Sequence, residues 1–262
     1  MINLVQFPGL GLSLHINRVA ISLGGFNIYW YGIILAAGLM GGLLFAFRYG
    51  PDFGIDTDRM ADVVVIGTVM AIVCARIYYV AMAPFQYQSV WEMIDLRNGG
   101  IAIYGALIGA FVFGGLACKW RKIPLLQMFD LVAMGFLIGQ GIGRWGNFVN
   151  AEVYGRETSS FLRMSINGAA GVHPLFLYES VWNLFGLILL LCFRDRKKAD
   201  GQVFFAYSLW YGVGRLFLEG MRQSQYILYL IPNVLGISQV VALAAILVSA
   251  GCIVYLGKHK NG

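Results

Sequence analysis

The sequence predicts an all-α, polytopic membrane protein with about seven transmembrane helices. Three observations carry that reading. Of 262 residues, 59% are hydrophobic and only 12% are charged, against roughly 25% charged in a soluble globular domain. The mean hydropathy is +0.71, and this much apolar surface excludes a disordered chain. The apolar residues also gather into runs close to the ~20 residues that cross a bilayer core.

Seven such runs occur, at residues 28–47, 60–83, 100–118, 125–143, 174–193, 202–220 and 236–256. The first and last contain no ionisable Lys, Arg, Asp or Glu. The second carries Arg76, and the third is rich in glycine, with Gly105 and Gly109 four residues apart. The fourth carries Asp130 and the series Gly135, Gly139 and Gly143, a small-residue face on which helix backbones approach closely. The fifth opens with Pro174, suited to a first helical turn, and carries Glu179. The sixth carries Arg215 and Glu219. No half of the chain repeats the other, unlike the inverted-repeat plan of many transporters. Residues 1–262 therefore read as a single transmembrane domain. Residues 145–173 form a small insertion after the fourth helix, too long for a simple turn.

The basic residues give the orientation. One set of loops holds Arg48 and Arg59, then Lys119, Arg121 and Lys122, then Arg194, Arg196, Lys197 and Lys198, then Lys258 and Lys260, which includes all six lysines of the chain. The other side holds Arg18, Arg97, Arg156, Arg163 and Arg222. By the positive-inside rule the N-terminus is outside, the C-terminus is cytoplasmic, and residues 145–173 are external. The net charge of +6 is dispersed rather than collected into a stripe, so no nucleic-acid partner is expected. No basic region and cleavage site precede the first run, which is expected to direct insertion itself. Cys74, Cys118, Cys192 and Cys252 lie in or beside apolar runs without metal-ligand spacing, and read as small buried hydrophobes.

An ionisable group in an apolar run is costly and calls for a partner or a function. Arg76, Asp130, Arg144, Glu179, Arg215 and Glu219 are such groups. Tyr211, Arg215, Glu219 and Arg222 share one helical face. An Arg215–Glu219 ion pair satisfying both charges is one reading of that face. Arg144, at the same expected depth, suggests another, in which two guanidinium forks hold a phosphate. Asn147 and Asn150 add amide donors and acceptors, and Gly143 and Gly146 allow close backbone approach. Glu152 can pair with an arginine or act as a base. Tyr31, Tyr104 and His173 are further polar groups in apolar surroundings, where tyrosines commonly anchor a helix at the interface. The intramembrane arginines are equally compatible with passage of an anionic solute. Another membrane enzyme acting on lipid phosphates, a phosphatase or phosphotransferase, lacks support, because neither a metal-binding carboxylate cluster nor paired catalytic histidines are evident.

The ordered set Trp30-Tyr31-Gly32, Gly143-Arg144-Trp145-Gly146-Asn147-Phe148-Val149-Asn150-Ala151-Glu152, His173-Pro174 through Tyr178-Glu179, and Tyr211 through Glu219 resembles the bacterial prolipoprotein diacylglyceryl transferase family. The resemblance covers most of the chain, and residues 143–155 are its most specific part. It implies transfer of diacylglyceryl from phosphatidylglycerol to the lipobox cysteine thiol of a prolipoprotein signal peptide, with release of glycerol 1-phosphate. This is the first step of lipoprotein maturation, in a bacterial cytoplasmic membrane with the active site toward the external face. The implied partners are phosphatidylglycerol, the prolipoprotein and membrane lipids, and no cofactor or metal is implied. By motif position, Arg144 and Arg215 bind the head group and stabilise the departing phosphate. Glu152 and Glu219 orient them or handle a proton. Asn147, Tyr31 and Gly155 match critical positions, Asn150 and Tyr211 join the lipid-binding set, and Asp130 and Gly99 are further candidates.

Tyr104-Gly105-Ala106 departs from the histidine and two glycines of many relatives, which places a phenol where a base is expected. A phenol of pKa about 10 is a poor base at neutral pH unless a cation acts on it. Tyr104, Glu152 and the phosphate itself therefore stand as alternative proton acceptors. On the reading that Tyr104 is the base, Tyr104→Phe lowers the transfer rate and changes its pH profile. An unchanged rate at every pH removes Tyr104 from that role.

Overall fold

The computed structural model describes residues 2–24, 26–83, 87–95, 99–231 and 234–258. Arg97 and Lys260, counted above among the basic residues, lie outside them. The described residues form helices α1 (Trp30–Tyr49), α2 (Thr57–Met82), α3 (Val90–Ile94), α4 (Ile103–Arg121), α5 (Leu125–Asn150), α6 (Leu175–Arg194), α7 (Gln202–Gly220) and α8 (Ile237–Lys258). Each apolar run of the sequence is one long helix, and α3 is a short addition. Among the described residues, six helices are long and apolar enough to cross a membrane. The one long helix outside that set is α7, whose 19 residues include Gln202, Arg215 and Glu219.

Short strands accompany the helices: β1 (Ile2–Phe7), β2 (Leu12–Asn17), β3 (Val19–Leu23), β4 (Phe26–Tyr29), β5 (Ser165–Ile166), β6 (Tyr229–Ile231) and β7 (Leu235–Gly236). Strand β1 pairs antiparallel with β2 and, on its other edge, with β5. Alternate residues of β1 are therefore buried: Val5 and Phe7 pack with Met164, Val172 and Phe176, flanked by Phe148 and Tyr154. The N-terminal strand thus completes a small core beneath the segment that follows α5.

The chain divides into two compact units, residues 1–46 with 129–262, and residues 47–128. In the first, α1 and α5 meet through glycine. A Cβ on Gly38 would lie 3.1 Å from the Gly139 carbonyl oxygen, and one on Gly42 would lie 3.0 Å from that of Gly135. The face predicted from Gly135 and Gly139 is the contact face. At the other end of α5, Asp130 is fully buried. It accepts hydrogen bonds from Lys197 Nζ (3.0 Å), Gly201 N (2.9 Å) and Phe204 N (2.8 Å), and so caps the first turn of α7. Asp130, a candidate for chemistry in the sequence, is about 21 Å along α5 from Arg144 at 1.5 Å per residue, and its role is to seat α7. Burial disfavours the Lys197 charge, but Asp200 and Asp130 outweigh that effect and hold its pKa above the ordinary lysine value.

In the second unit, Gly105 and Gly109 of α4 lie against α2, where a Cβ on either would run into the Cys74 or Met70 carbonyl oxygen. Arg76 is satisfied without a carboxylate. Its guanidinium donates to the carbonyl oxygens of Glu92 (2.8 Å), Met93 (2.7 Å), Gly99 (3.0 Å) and Gly100 (2.7 Å). Both glycines have φ near +80°, which turns these carbonyls inward at a conformation open to glycine. Of the four cysteines, Cys118 is buried, whereas Cys192 is exposed on the helix surface, correcting the expectation that all four are buried.

Replacing Asp130 by Ala leaves the Lys197 ammonium and two α7 amides without their acceptor. The expected loss is about 3 kcal/mol or more, read as a lowered thermal unfolding midpoint of the detergent-solubilised protein.

Candidate functional site

Three arginines and two glutamates of the first unit form one continuous chain of alternating charge. Arg144, near the C-terminal end of α5, pairs with Glu179 on α6. Glu179 Oε1 also receives Arg222 Nη2 at 3.2 Å, from the turn after α7. Arg222 Nε lies 3.2 Å from Glu219 Oε2, and Glu219 Oε2 lies 3.2 Å from Arg215 Nη2 one helical turn away. Ser238, at the start of α8, donates its hydroxyl to Glu219 Oε1 at 2.7 Å. Four helices thus converge on five charges.

Burial orders the chain. Glu219 is 2% exposed, and Glu179 and Arg222 are buried. The two end members, Arg144 and Arg215, keep 25% and 20% of their side chains exposed. A buried carboxylate costs several kcal/mol unless paired, and each glutamate here is held by two guanidiniums. Three guanidiniums against two carboxylates leave one net positive charge. Burial, reinforced by Arg215, lowers the Arg222 pKa from its ordinary value against the opposing pull of Glu219 and Glu179.

Arg144 and Arg215 line one cleft together with Gln140, Trp182, Tyr211 and Leu218. Guanidinium forks at the rim of an apolar-walled cleft, with net positive charge behind them, are suited to a phosphate. Among the described residues, no group of three His, Cys, Asp or Glu side chains could hold a metal ion.

The other sequence candidates fall into three places. Glu152 accepts hydrogen bonds from the side-chain amides of Asn147 and Asn150, both at 3.2 Å, and its backbone N–H returns to the Asn147 carbonyl. Glu179 rather than Glu152 is therefore the partner of Arg144. Tyr31 packs on α5 at Gly146, where a Cβ would lie 2.9 Å from its ring. It lines a second, wider cleft with Arg18, Tyr29 and Asn150. Gly155 bridges to Arg222 in the backbone and donates its N–H to the His173 carbonyl oxygen at 2.9 Å. A Cβ there would lie 2.6 Å from His173 Cβ and 2.9 Å from the Met221 oxygen, so glycine lets this segment fasten the turn that carries Arg222. Arg156 completes the fastening, donating Nε to the Arg222 carbonyl. Tyr104 belongs to the second unit, where it is 64% exposed with its ring 6.3 Å from that of Tyr78.

Glu179, Arg222 and Ser238 were not assigned to the site from sequence. For Glu179 the available signal was a carboxylate in an apolar run; for Arg222, a place on the face of Arg215 and Glu219. Ser238 gave no signal.

The model of the family described as prolipoprotein diacylglyceryl transferase matches residues 18–255. A phosphatidylglycerol–prolipoprotein diacylglyceryl transferase of Bacillus cereus (strain Q1) is 42% identical over 253 residues, covering 92% of each chain. The proteins of that name in Bacillus anthracis and Bacillus thuringiensis subsp. konkukian are 42% and 41% identical with the same coverage.

Glu179→Gln keeps the side-chain size and removes the charge that separates two guanidiniums. A loss of about 3–5 kcal/mol is expected, as for a broken buried pair, with a correspondingly lower unfolding midpoint. An unchanged midpoint would show that Arg144 and Arg222 do not rely on this carboxylate.

Proposed function

Because the chain belongs to the prolipoprotein diacylglyceryl transferase family, it transfers the diacylglyceryl group of phosphatidylglycerol to prolipoproteins, and we propose that the Arg144–Arg215 cleft receives the lipid phosphate. The observation that carries this assignment is the charge chain, in which two buried glutamates hold three arginines and leave the two outer guanidiniums open to the cleft.

In this reading the thiol of the lipobox cysteine attacks the glycerol carbon that bears the phosphate oxygen. A carbon–sulfur bond forms, the carbon–oxygen bond breaks, and glycerol 1-phosphate leaves with the bonding pair. The phosphodiester carries one negative charge, and its departure as a monoester develops a second. Guanidiniums already fixed by Glu179 and Glu219 meet that charge without reorganising, which is where such groups contribute most to rate. Glu152 holds Asn147 and Asn150 in place for the head group, and Tyr31 and Tyr211 line the two clefts. A thiol of pKa about 8.5 must still lose its proton. Tyr104, Glu152 or the departing phosphate accepts it, and the Tyr104 substitution decides whether Tyr104 does.

The same reading places seven helices in a bacterial cytoplasmic membrane, with the N-terminus and the Arg144–Arg215 cleft toward the outside and the C-terminus in the cytoplasm. It is supported by the six apolar helices and by the gathering of every lysine on one set of loops. The seventh helix is α7, whose charges are matched by neighbours rather than by lipid.

The test is to incubate the purified protein in detergent with phosphatidylglycerol and a lipobox peptide, following both glycerol phosphate release and peptide mass. A peptide with serine for cysteine is the control. Wild-type protein is expected to yield both products in step. Arg144→Lys and Arg215→Lys should each lose about a hundredfold or more in rate while remaining folded, because an ammonium cannot reproduce a planar fork. Near-normal rates in both variants would overturn the phosphate assignment.

A further inference from the structure

Helices α6 and α7 share a short sequence pattern that their charges obscure: Trp182 followed four residues later by Gly186, and Trp210 followed four residues later by Gly214. The structure interlocks the two. The indoles of Trp182 and Trp210 stack with centroids 4.2 Å apart and planes 14° from parallel. Trp182 Nε1 donates to the Trp210 carbonyl oxygen at 3.2 Å, and Trp210 Nε1 donates to the Trp182 carbonyl oxygen at 3.1 Å. Each indole also lies over the glycine of the opposite helix, since a Cβ on Gly186 would run into Trp210 and one on Gly214 into Trp182.

The reason for this pattern is helical geometry. The carbonyl of residue i points toward residue i+4, so a glycine at i+4 uncovers that oxygen for a second donor. The pattern is therefore self-complementary between antiparallel helices. Each helix supplies one indole donor and one uncovered acceptor, and stacking and hydrogen bonding are satisfied together only at one axial register. A slip of one turn is about 5.4 Å and breaks both hydrogen bonds.

The clasp adjoins the charge chain. Glu179 precedes Trp182 by three residues on α6, and Arg215 directly follows Gly214 on α7. Trp182 and Gly214 line the Arg144–Arg215 cleft, and Trp210 and Gly186 are not among its lining residues. The preceding interface has its own tie, Ser180 Oγ to the Gly141 carbonyl at 2.7 Å, which fixes α5 against α6. We propose that the Trp182–Trp210 clasp is a positioning element of the transferase: it sets the register of α7 on α6, and so the placement of the Arg215 fork relative to the Arg144 fork. The proposal rests on the reading that these two forks hold the lipid phosphate.

The test uses the full-length protein in detergent and two substitutions outside the cleft lining, Trp210→Phe and Gly186→Ala, singly and together. Five quantities are measured: the circular-dichroism couplet of the stacked indoles, the thermal midpoint, kcat, and the separate KM values for phosphatidylglycerol and peptide. Each single variant should lose or distort the couplet and raise the KM for phosphatidylglycerol while leaving that for peptide unchanged. The expected fall in kcat/KM is about tenfold to a hundredfold, the scale of a misplacement of roughly 1 Å. In the double variant the smaller ring admits the Ala methyl, so the midpoint recovers. The indole donor is still absent, so kcat/KM stays low. Recovery of kcat/KM together with the midpoint, or wild-type kcat/KM in a single variant whose couplet is lost, would show that the clasp only packs and would overturn the proposal. Should Gly186→Ala not fold, Trp210→Phe and the double variant carry the same comparison. The Arg144→Lys and Arg215→Lys pair decides the phosphate reading independently.

Discussion

A carboxylate removed from water must be matched by cations at close range, and Glu179 is matched twice, by Arg144 of α5 and by Arg222 beyond α7. That double pairing makes one side chain of α6 the junction of three elements distant in sequence. It also dictates what must be built around it. Arg222 is buried, so its backbone needs fastening, and residues 155 and 156 supply it through the bridge to Gly155 and the hydrogen bond from Arg156. Those residues in turn need a base, and the small core of Val5, Phe7, Met164, Val172 and Phe176 provides one. The N-terminal strand is thus connected, through packing and backbone pairing, to an arginine more than two hundred positions later in the chain.

The two compact units solve the same electrostatic problem by different means. Glu179 and Glu219 are answered by full charges. Arg76 is answered by four backbone carbonyls, two of them turned inward by glycines with positive φ. Dipoles satisfy the donors of a guanidinium without adding a countercharge, so Glu92, Met93, Gly99 and Gly100 are tied to α2 through backbone carbonyls that carry no full charge. Glycine is the common device. It permits the α1–α5 and α2–α4 backbones to approach, and it uncovers the carbonyls that receive Trp182 and Trp210.

Much of this was legible in the sequence for a definable reason. Burying apolar surface in a bilayer leaves long runs that need no partner information, and each of the seven runs is a helix. Arg144, Arg215 and Glu219 stood out because charge in such a run is costly, and Tyr211 because it shares the face of Arg215 and Glu219; the structure brings Arg144, Arg215 and Tyr211 to one cleft and pairs the buried Glu219 with Arg215. What sequence did not disclose depends on pairing across the fold. Arg144 and Glu179 are separated by the segment that joins α5 to α6, and nothing local tells Arg144 to choose Glu179 over Glu152. Strand β1 is not legible because its six residues are too short to stand out beside runs of bilayer length. Its apolar alternation is also blurred in the sequence, since Ile2 is exposed while Asn3 is buried. Trp182 and Trp210 were equally silent, since one Trp and one Gly four residues apart on a single helix signify nothing until a second helix presents the same pair in reverse.

The arrangement also bears on why the site holds its positive charge in a chain rather than as two isolated arginines. Two bare guanidiniums facing one cleft would repel each other and, when the cleft is empty, would relax toward water. Interposed glutamates hold them in place, at the cost of cancelling most of their charge. Five alternating groups retain a single net positive charge, enough to balance a phosphodiester in the ground state. On the proposed assignment of this cleft to the lipid phosphate, breaking the carbon–oxygen bond gives the phosphate a second charge that the resting site does not fully balance. The additional attraction to the outer guanidiniums then arises mainly on the way to the transition state, the condition under which binding energy raises turnover rather than merely tightening the substrate complex.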